Sequence, residues 1–134
     1  MTPTNSAMSL DDMTTTPSTS TRSRVIVAGL GRAGLGYACA FAMNPDAEVV
    51  GFIEPRNDLR RFVRGVGFGQ PSDGSLLRWL TKNGGDALIV TSPAADAAEL
   101  VEQAVKSGLA VLVHDLAAMP GDVVERIARA LEGS

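Results

Sequence analysis

Three glycines and one acid are the residues here whose types and spacing could do chemistry. Gly29, Gly31 and Gly34 stand at G-x-G-x-x-G spacing directly behind the apolar run Val25-Ile26-Val27-Ala28. Glu54 closes a second run, Val49-Val50-Gly51-Phe52-Ile53, about 20 residues further on. Each has a physical task in dinucleotide binding. Gly29 permits a tight turn off a strand, Gly31 removes the side chain that would block a pyrophosphate, and Gly34 lets the following helix lie close on a sheet. The segment Leu30, Arg32 and Ala33 between them would present free N–H groups and the positive end of a helix dipole to the phosphates. Glu54 would accept hydrogen bonds from an adenosine ribose. Its charge opposes a 2′-phosphate and so favours NAD over NADP. Arg56 keeps NADP open, since it could lie over the adenine or pair with that phosphate. Arg60, Arg61 and Arg64 read as a solvated helix face. A purely structural use of the glycines stays open, and flavin and S-adenosylmethionine sites share such turns, although the latter ligand has no pyrophosphate.

Two further segments could border the same site. Thr91, Ser92 and Pro93 follow the run Asp86-Ala87-Leu88-Ile89-Val90. They would line a ligand edge, and Ser92 could equally cap a helix that Pro93 begins. His114 and Asp115 follow Ala110-Val111-Leu112-Val113 and are weak catalytic candidates. Neighbours along an extended chain point to opposite faces, so these two should not meet. Cys39, the single cysteine, reads as packed core. One histidine and one cysteine make no metal-ligand cluster.

Elements in βαβ alternation must hold these residues. Strands are expected at Val25–Ala28, Glu48–Ile53, Asp86–Val90 and Ala110–Val113, with a weak edge strand at Val66–Phe68. Helices are expected at Arg32–Met43, with Ala33, Tyr37, Ala40 and Phe41 inward; at Asn57–Arg64, with Leu59, Phe62 and Val63 on one side; and at Ser75–Thr81, with Leu76, Leu77, Trp79 and Leu80 apolar. Another runs from Pro93 to about Ser107. A last one starts at a capping box formed by Asp122 and Glu125, with Val123, Val124, Ile127 and Leu131 facing the core. This alternation predicts an α/β fold with a parallel sheet and helices on both faces.

The whole chain is 134 residues long with a net charge of −3, enough for one domain and without the basic excess of a nucleic-acid binder. No apolar stretch is long enough to span a membrane, and a lone cysteine fits a reducing, cytoplasmic setting. Residues 1–23 hold twelve Ser or Thr and no Gly, which reads as a disordered leader before a domain at 24–134. The leader has neither the continuous apolar core of a secretory signal nor the arginines of a transit peptide.

From Arg24 onward the sequence resembles the N-terminal half of the glucose–fructose oxidoreductase/inositol dehydrogenase (Gfo/Idh/MocA) family. The likeness lies in Val27-Ala28-Gly29-Leu30-Gly31-Arg32-Ala33-Gly34, Ala47-Glu48-Val49-Val50-Gly51, Asp86 to Pro93, and Lys106 to Val113, in the family's order. The resemblance implies a Rossmann-like doubly wound sheet of order 3-2-1-4-5, with the glycines, Glu54 and Thr91–Pro93 bordering NAD(P). It also exposes departures. His114-Asp115-Leu116 stands where the family has Glu-Lys-Pro, so an aspartate replaces the lysine that helps deliver a proton. Ala97 stands where the family commonly has a histidine. The family's second domain, which walls the substrate site, has no counterpart in these residues.

The expectation is a cofactor-binding regulatory or accessory protein without ordinary dehydrogenase catalysis. Two alternatives remain. One is an oxidoreductase that completes its site by self-association or with a partner protein. The other is a ligand-free interaction module. A homodimer through the last strand and last helix is expected, because a domain of this kind alone leaves apolar surface uncovered.

Overall fold

The computed structural model describes residues 22–65 and 70–133. The expected strand at Val66–Phe68 and nearly all of the Ser/Thr-rich leader lie outside them. Five parallel strands form one sheet, β1 (Ser23–Ala28), β2 (Ala47–Ile53), β3 (Ser72–Asp73), β4 (Ala87–Val90) and β5 (Ala110–Val113), in the order β3-β2-β1-β4-β5. Five α-helices alternate with them: α1 (Arg32–Ala42), α2 (Asn57–Gly65), α3 (Leu76–Lys82), α4 (Ala94–Lys106) and α5 (Gly121–Glu132). A 3-10 turn at Leu116–Ala118 joins β5 to α5. This is the α/β topology that the sequence pattern predicts. The edge strand, however, is the two-residue Ser72–Asp73.

Alternation along β1 sends its side chains into two cores, as a sheet covered on both faces requires. Ile26 and Ala28 pack with Ile53, Leu88, Val90 and the inner sides of α3, α4 and α5, with Val101, Ala104 and Ile127 fully or almost fully buried. Val25 and Val27 pack on the opposite face with Phe52, Ile89, Ala38 of α1 and Val63 of α2. Trp79 of α3 lies flat against the sheet at Gly51, where a Cβ would come within 2.1 Å of the indole. The indole N–H donates to the Gly84 carbonyl at 3.0 Å.

Register matters most for function. Ala28 pairs with both Ile53 and Val90, and Val90 pairs with Val113. Three central strands and their outer neighbour β5 therefore stop at one level. The next residue of each strand makes the last rung: Gly29 N–H donates to Ile53 O (2.8 Å), Thr91 N–H to Ala28 O (2.8 Å) and His114 N–H to Val90 O (2.9 Å). Gly29, Glu54, Thr91 and His114 form a continuous rim along the carboxyl ends of the strands, where ligands of open α/β sheets bind.

Several local expectations are corrected. Cys39 and Ala40 are exposed on the outer side of α1, so Cys39 is not core. Phe62, Leu77 and Leu131 point outward, at 62%, 51% and 41% exposure. Ser92 does not cap α4, because Pro93 itself occupies the cap position in an extended conformation. Pro120 does the same for α5, so Asp122 and Glu125 make no capping box. A proline before a helix fixes φ and leaves no side-chain acceptor. Ser75 does cap α3, accepting from the Arg78 N–H at 3.2 Å.

Candidate functional site

The glycine turn is built by two glycines that the chain needs for itself and one that it does not. Gly29 has φ +106°, and a Cβ there would lie 2.4 Å from Thr91 Oγ1. A Cβ on Gly34 would lie 1.9 Å from the Gly29 carbonyl oxygen, so α1 can approach the turn only without one. Gly31 is different. Its backbone is extended at φ −79°, ψ −168°, and a Cβ there would meet nothing within 4 Å. Neither conformation nor packing demands a glycine at this position. It opens instead onto the space above the first turn of α1. There the N–H groups of Arg32, Ala33 and Gly34 lack intrahelical acceptors by helix geometry, and the turn carries no acidic residue. An anion is the complementary occupant.

Glu54 sits beside this turn, 6% exposed. Its Oε1 accepts the Leu30 N–H at 2.9 Å and its Oε2 accepts the Arg56 N–H at 3.1 Å. Two backbone donors satisfy the buried charge and fix the carboxylate between the glycine turn and the start of the β2–α2 connection. A carboxylate has about four acceptor positions, and these two bonds use about half of them.

Thr91 closes the turn from the other side. Its hydroxyl donates to the Ala28 carbonyl at 2.8 Å, the same oxygen that its own N–H reaches. This residue locks the rim rather than offering its oxygen outward. Ser92 is buried, and with Ile53, Pro55, Leu76 and Leu100 it lines a cleft of about 230 Å³ beyond Glu54. Pro93 stands exposed at the start of α4.

His114 and Asp115 do part company, as expected, although Asp115 is not extended. It adopts a left-handed conformation (φ 61°) and its carbonyl accepts the Ala118 N–H at 3.1 Å. His114 pairs with Tyr37 of α1. The Tyr37 Oη and His114 Nδ1 are 3.2 Å apart, and the rings meet edge to face at 82° with centroids 5.5 Å apart. Tyr37 reads as a core position in sequence. Its signal was its place three residues after Gly34, on the face of α1 that looks along the rim. Its partner lies 77 residues away, beyond the reach of local pattern.

The arginines divide. Arg56 is tied to Asp58 at 3.0 Å with both side chains exposed, and its guanidinium holds the Asp58 carboxyl below its usual range. Arg60 leaves the solvated face expected of it: half-buried, it donates to the Glu54 carbonyl and to Asn57 Oδ1. Arg61 and Arg64 are exposed. Among the described residues no group of three or more His, Cys, Asp or Glu could hold a metal ion, and no helix is long and apolar enough to cross a membrane.

No family model and no curated protein matches the chain, but solved structures do. The chain is similar to the WlbA dehydrogenase from Bordetella pertussis, solved in complex with NADH and UDP-GlcNAcA. The identity is 19% and the TM-score 0.73, over 84% of this chain and 32–34% of such neighbours, 34% for this one. A protein of Bordetella bronchiseptica RB50 classed as a dehydrogenase is 30% identical, with a TM-score of 0.69 over 84% of this chain and 29% of that one. A scyllo-inositol dehydrogenase from Lactobacillus casei, solved with bound cofactor NAD(H) and scyllo-inositol, is 15% identical, with a TM-score of 0.70 over 84% of this chain and 33% of that one. These neighbours are dehydrogenases of the Gfo/Idh/MocA type, and the likeness covers their Rossmann-type N-terminal domain. The chain spans about a third of their length.

Proposed function

We propose that this chain binds a nicotinamide dinucleotide, NAD(H) or NADP(H), along the rim, and serves as a cofactor-binding regulatory or accessory subunit rather than as an ordinary dehydrogenase on its own. Gly31 carries the reading, being the one fingerprint glycine whose missing side chain the protein's own fold does not explain. The pyrophosphate would lie over Gly31 and the first turn of α1, held by the N–H groups of Arg32 and Ala33. The adenosine ribose would use the remaining acceptor positions of Glu54, with the base toward the cleft at Pro55, Leu76 and Ser92. The nicotinamide end would run toward Thr91 and the Tyr37–His114 pair. When bound, the nicotinamide ring supplies hydride chemistry. The protein's residues supply position and exclude water.

The accessory role is supported by the residue that follows His114 on the rim. Asp115 replaces the lysine of the resembling family, and a carboxylate cannot donate a proton to a substrate oxygen as an ammonium does. Calorimetric titration of the purified chain with each dinucleotide, beside Gly31→Val, tests the binding. Saturable binding that the valine removes while the fold persists supports it; no binding at millimolar ligand contradicts it. Robust turnover of a sugar or polyol by the chain alone would contradict the accessory role.

A second reading, an enzyme completed by another chain, is favoured by the Tyr37–His114 pair. A phenol hydrogen-bonded to an imidazole can pass a proton. Turnover that appears only with a partner chain, and that Tyr37→Phe reduces, would support this reading.

A further inference from the structure

We infer that the dinucleotide this rim takes is the 2′-phosphorylated one, and that a basin of guanidinium groups from α2 and α3 receives the extra phosphate. The inference rests on the dinucleotide binding proposed above. The basin has a volume of about 350 Å³ and is walled by Arg60, Arg61, Arg64 and Arg78, with Asp73 and Gly74 at its sheet side. Asp73 is its one acid and is already matched, lying 2.7 Å from Arg78 Nη2 with its carboxyl held below the usual range by that guanidinium. Arg61 and Arg64 are left facing the concavity, and Arg60, whose two terminal nitrogens already donate to the Glu54 carbonyl and to Asn57, adds a third charge that no acid offsets. Like charges gathered this way repel one another, and a multivalent anion relieves them. The planar donor fork of arginine matches phosphate oxygens.

Position gives the anion its identity. Glu54 joins the two sites through its two ends. Its carboxylate faces the Leu30 N–H of the glycine turn, and its carbonyl accepts from the Arg60 guanidinium. Gly74 lines both the basin and the cleft that contains Pro55 and Ser92, so the two cavities meet there. A Cβ on Gly74 would stand 2.9 Å from Arg60 Nη1 and 3.7 Å from Arg78 Nη2, so the glycine keeps that junction open. A ribose held at Glu54 therefore has arginines on its sheet-edge side, where a 2′-substituent can turn. The charge of Glu54, which on sequence grounds opposes a 2′-phosphate, is tied to two backbone N–H groups and outnumbered by the basin.

Binding to the purified chain, measured by calorimetry at low and moderate salt, tests this with NADP⁺, NAD⁺, adenosine 2′,5′-bisphosphate and inorganic phosphate as ligands. NADP⁺ is expected to bind about tenfold to a hundredfold more tightly than NAD⁺, the yield of one or two charge-assisted hydrogen bonds. The gap should narrow as salt rises. The bisphosphate should compete with NADP⁺. The double variant Arg61→Ala/Arg64→Ala, changed at exposed positions and checked by circular dichroism, should bring NADP⁺ down to the affinity of NAD⁺. Equal affinities in the wild type overturn the inference, as does an NADP⁺ advantage that survives the double variant. Tight inorganic phosphate that does not compete with NADP⁺ also overturns it and assigns the basin to a separate anion. An NAD⁺ affinity equal to that of NADP⁺ and abolished by Gly31→Val would leave dinucleotide binding standing while this inference fell. Absence of binding by both would remove the two together.

Discussion

At the scale of single residues, the three glycines of one motif answer to different forces, and substitution should separate them. Gly34→Ala drives a Cβ into the Gly29 carbonyl and should cost about 1–3 kcal/mol in chemical denaturation, as overpacked contacts do. Gly31→Val should change stability by no more than about 1 kcal/mol, the scale of a helix-cap change, since its Cβ meets nothing within 4 Å, yet remove dinucleotide binding. A Gly31 variant that unfolds, or that binds like the wild type, would show that the position has another purpose. The roles of Gly29 and Gly34 were legible in sequence because each is a local demand of the turn. Other roles at the site were not. Thr91 reaches back to Ala28 and Tyr37 reaches across to His114, 63 and 77 residues apart. Nothing in either segment marks the partner. Tyr37→Phe should cost about 0.5–1.5 kcal/mol, the net worth of a partly buried hydrogen bond, readable in the same denaturation experiment.

At the scale of elements, the strand order came from the family resemblance, while the parallel sheet followed from apolar runs separated by helical stretches, because the inner strands β1, β2 and β4 are covered on both faces and have to look that way. The edge strand escaped notice for the same reason. Ser72–Asp73 is two residues long and half-buried, so it leaves no apolar run to find. Helix starts misled at Ser92 and Asp122, where an adjoining proline holds the cap position. Phe62 and Leu77 misled because apolar type does not by itself decide facing. The packing of α3 rests on Trp79 over Gly51. Trp79→Ala should cost about 3–5 kcal/mol, and a loss below about 1 kcal/mol would mean that the indole does not bind α3 to the sheet. Helices α4 and α5 are joined by Arg126, whose Nε and Nη2 lie 2.7 and 2.6 Å from the two Glu102 carboxylate oxygens. That guanidinium lowers the folded-state pKa of Glu102. The contribution is therefore complete above the ordinary glutamate value, about 4.3, and is lost as the pH falls through the lowered folded value. Glu102→Gln should flatten the acid limb of the stability curve there by slightly lowering stability at neutral pH, as expected of an exposed pair, while stability at the strongly acid end stays the same.

At the scale of the whole molecule, charge is near balance, yet α2 and α3 gather arginines at one sheet edge. The opposite edge, β5, is apolar and half-exposed, with Leu112 at 43%. Beside it the face formed by Val25, Ile89 and Leu112 leaves a groove of about 380 Å³. The expected self-pairing through the last strand and helix would use this edge. Light scattering should then report a dimer that Leu112→Lys converts to a monomer, and a wild-type monomer would rule the pairing out. Binding should also raise the melting temperature by mass action. Ligand at about a hundred times its dissociation constant adds about 2.7 kcal/mol, several degrees for a domain of this size. A melting point unmoved by either nicotinamide nucleotide at that excess would count against the proposed function.

The shared stopping level of the strands has a consequence for speed. The amides of Gly29, Thr91 and His114 are already engaged in the final rungs of the sheet, so the sheet itself holds the rim that a nucleotide would meet. Hydrogen exchange should find those three amides slow with or without nucleotide, while Arg32 and Ala33 slow down only in its presence. Nearly all the lost freedom would then fall on the small molecule, and capture would proceed in one step, at a rate set by encounter instead of by rearrangement of the host.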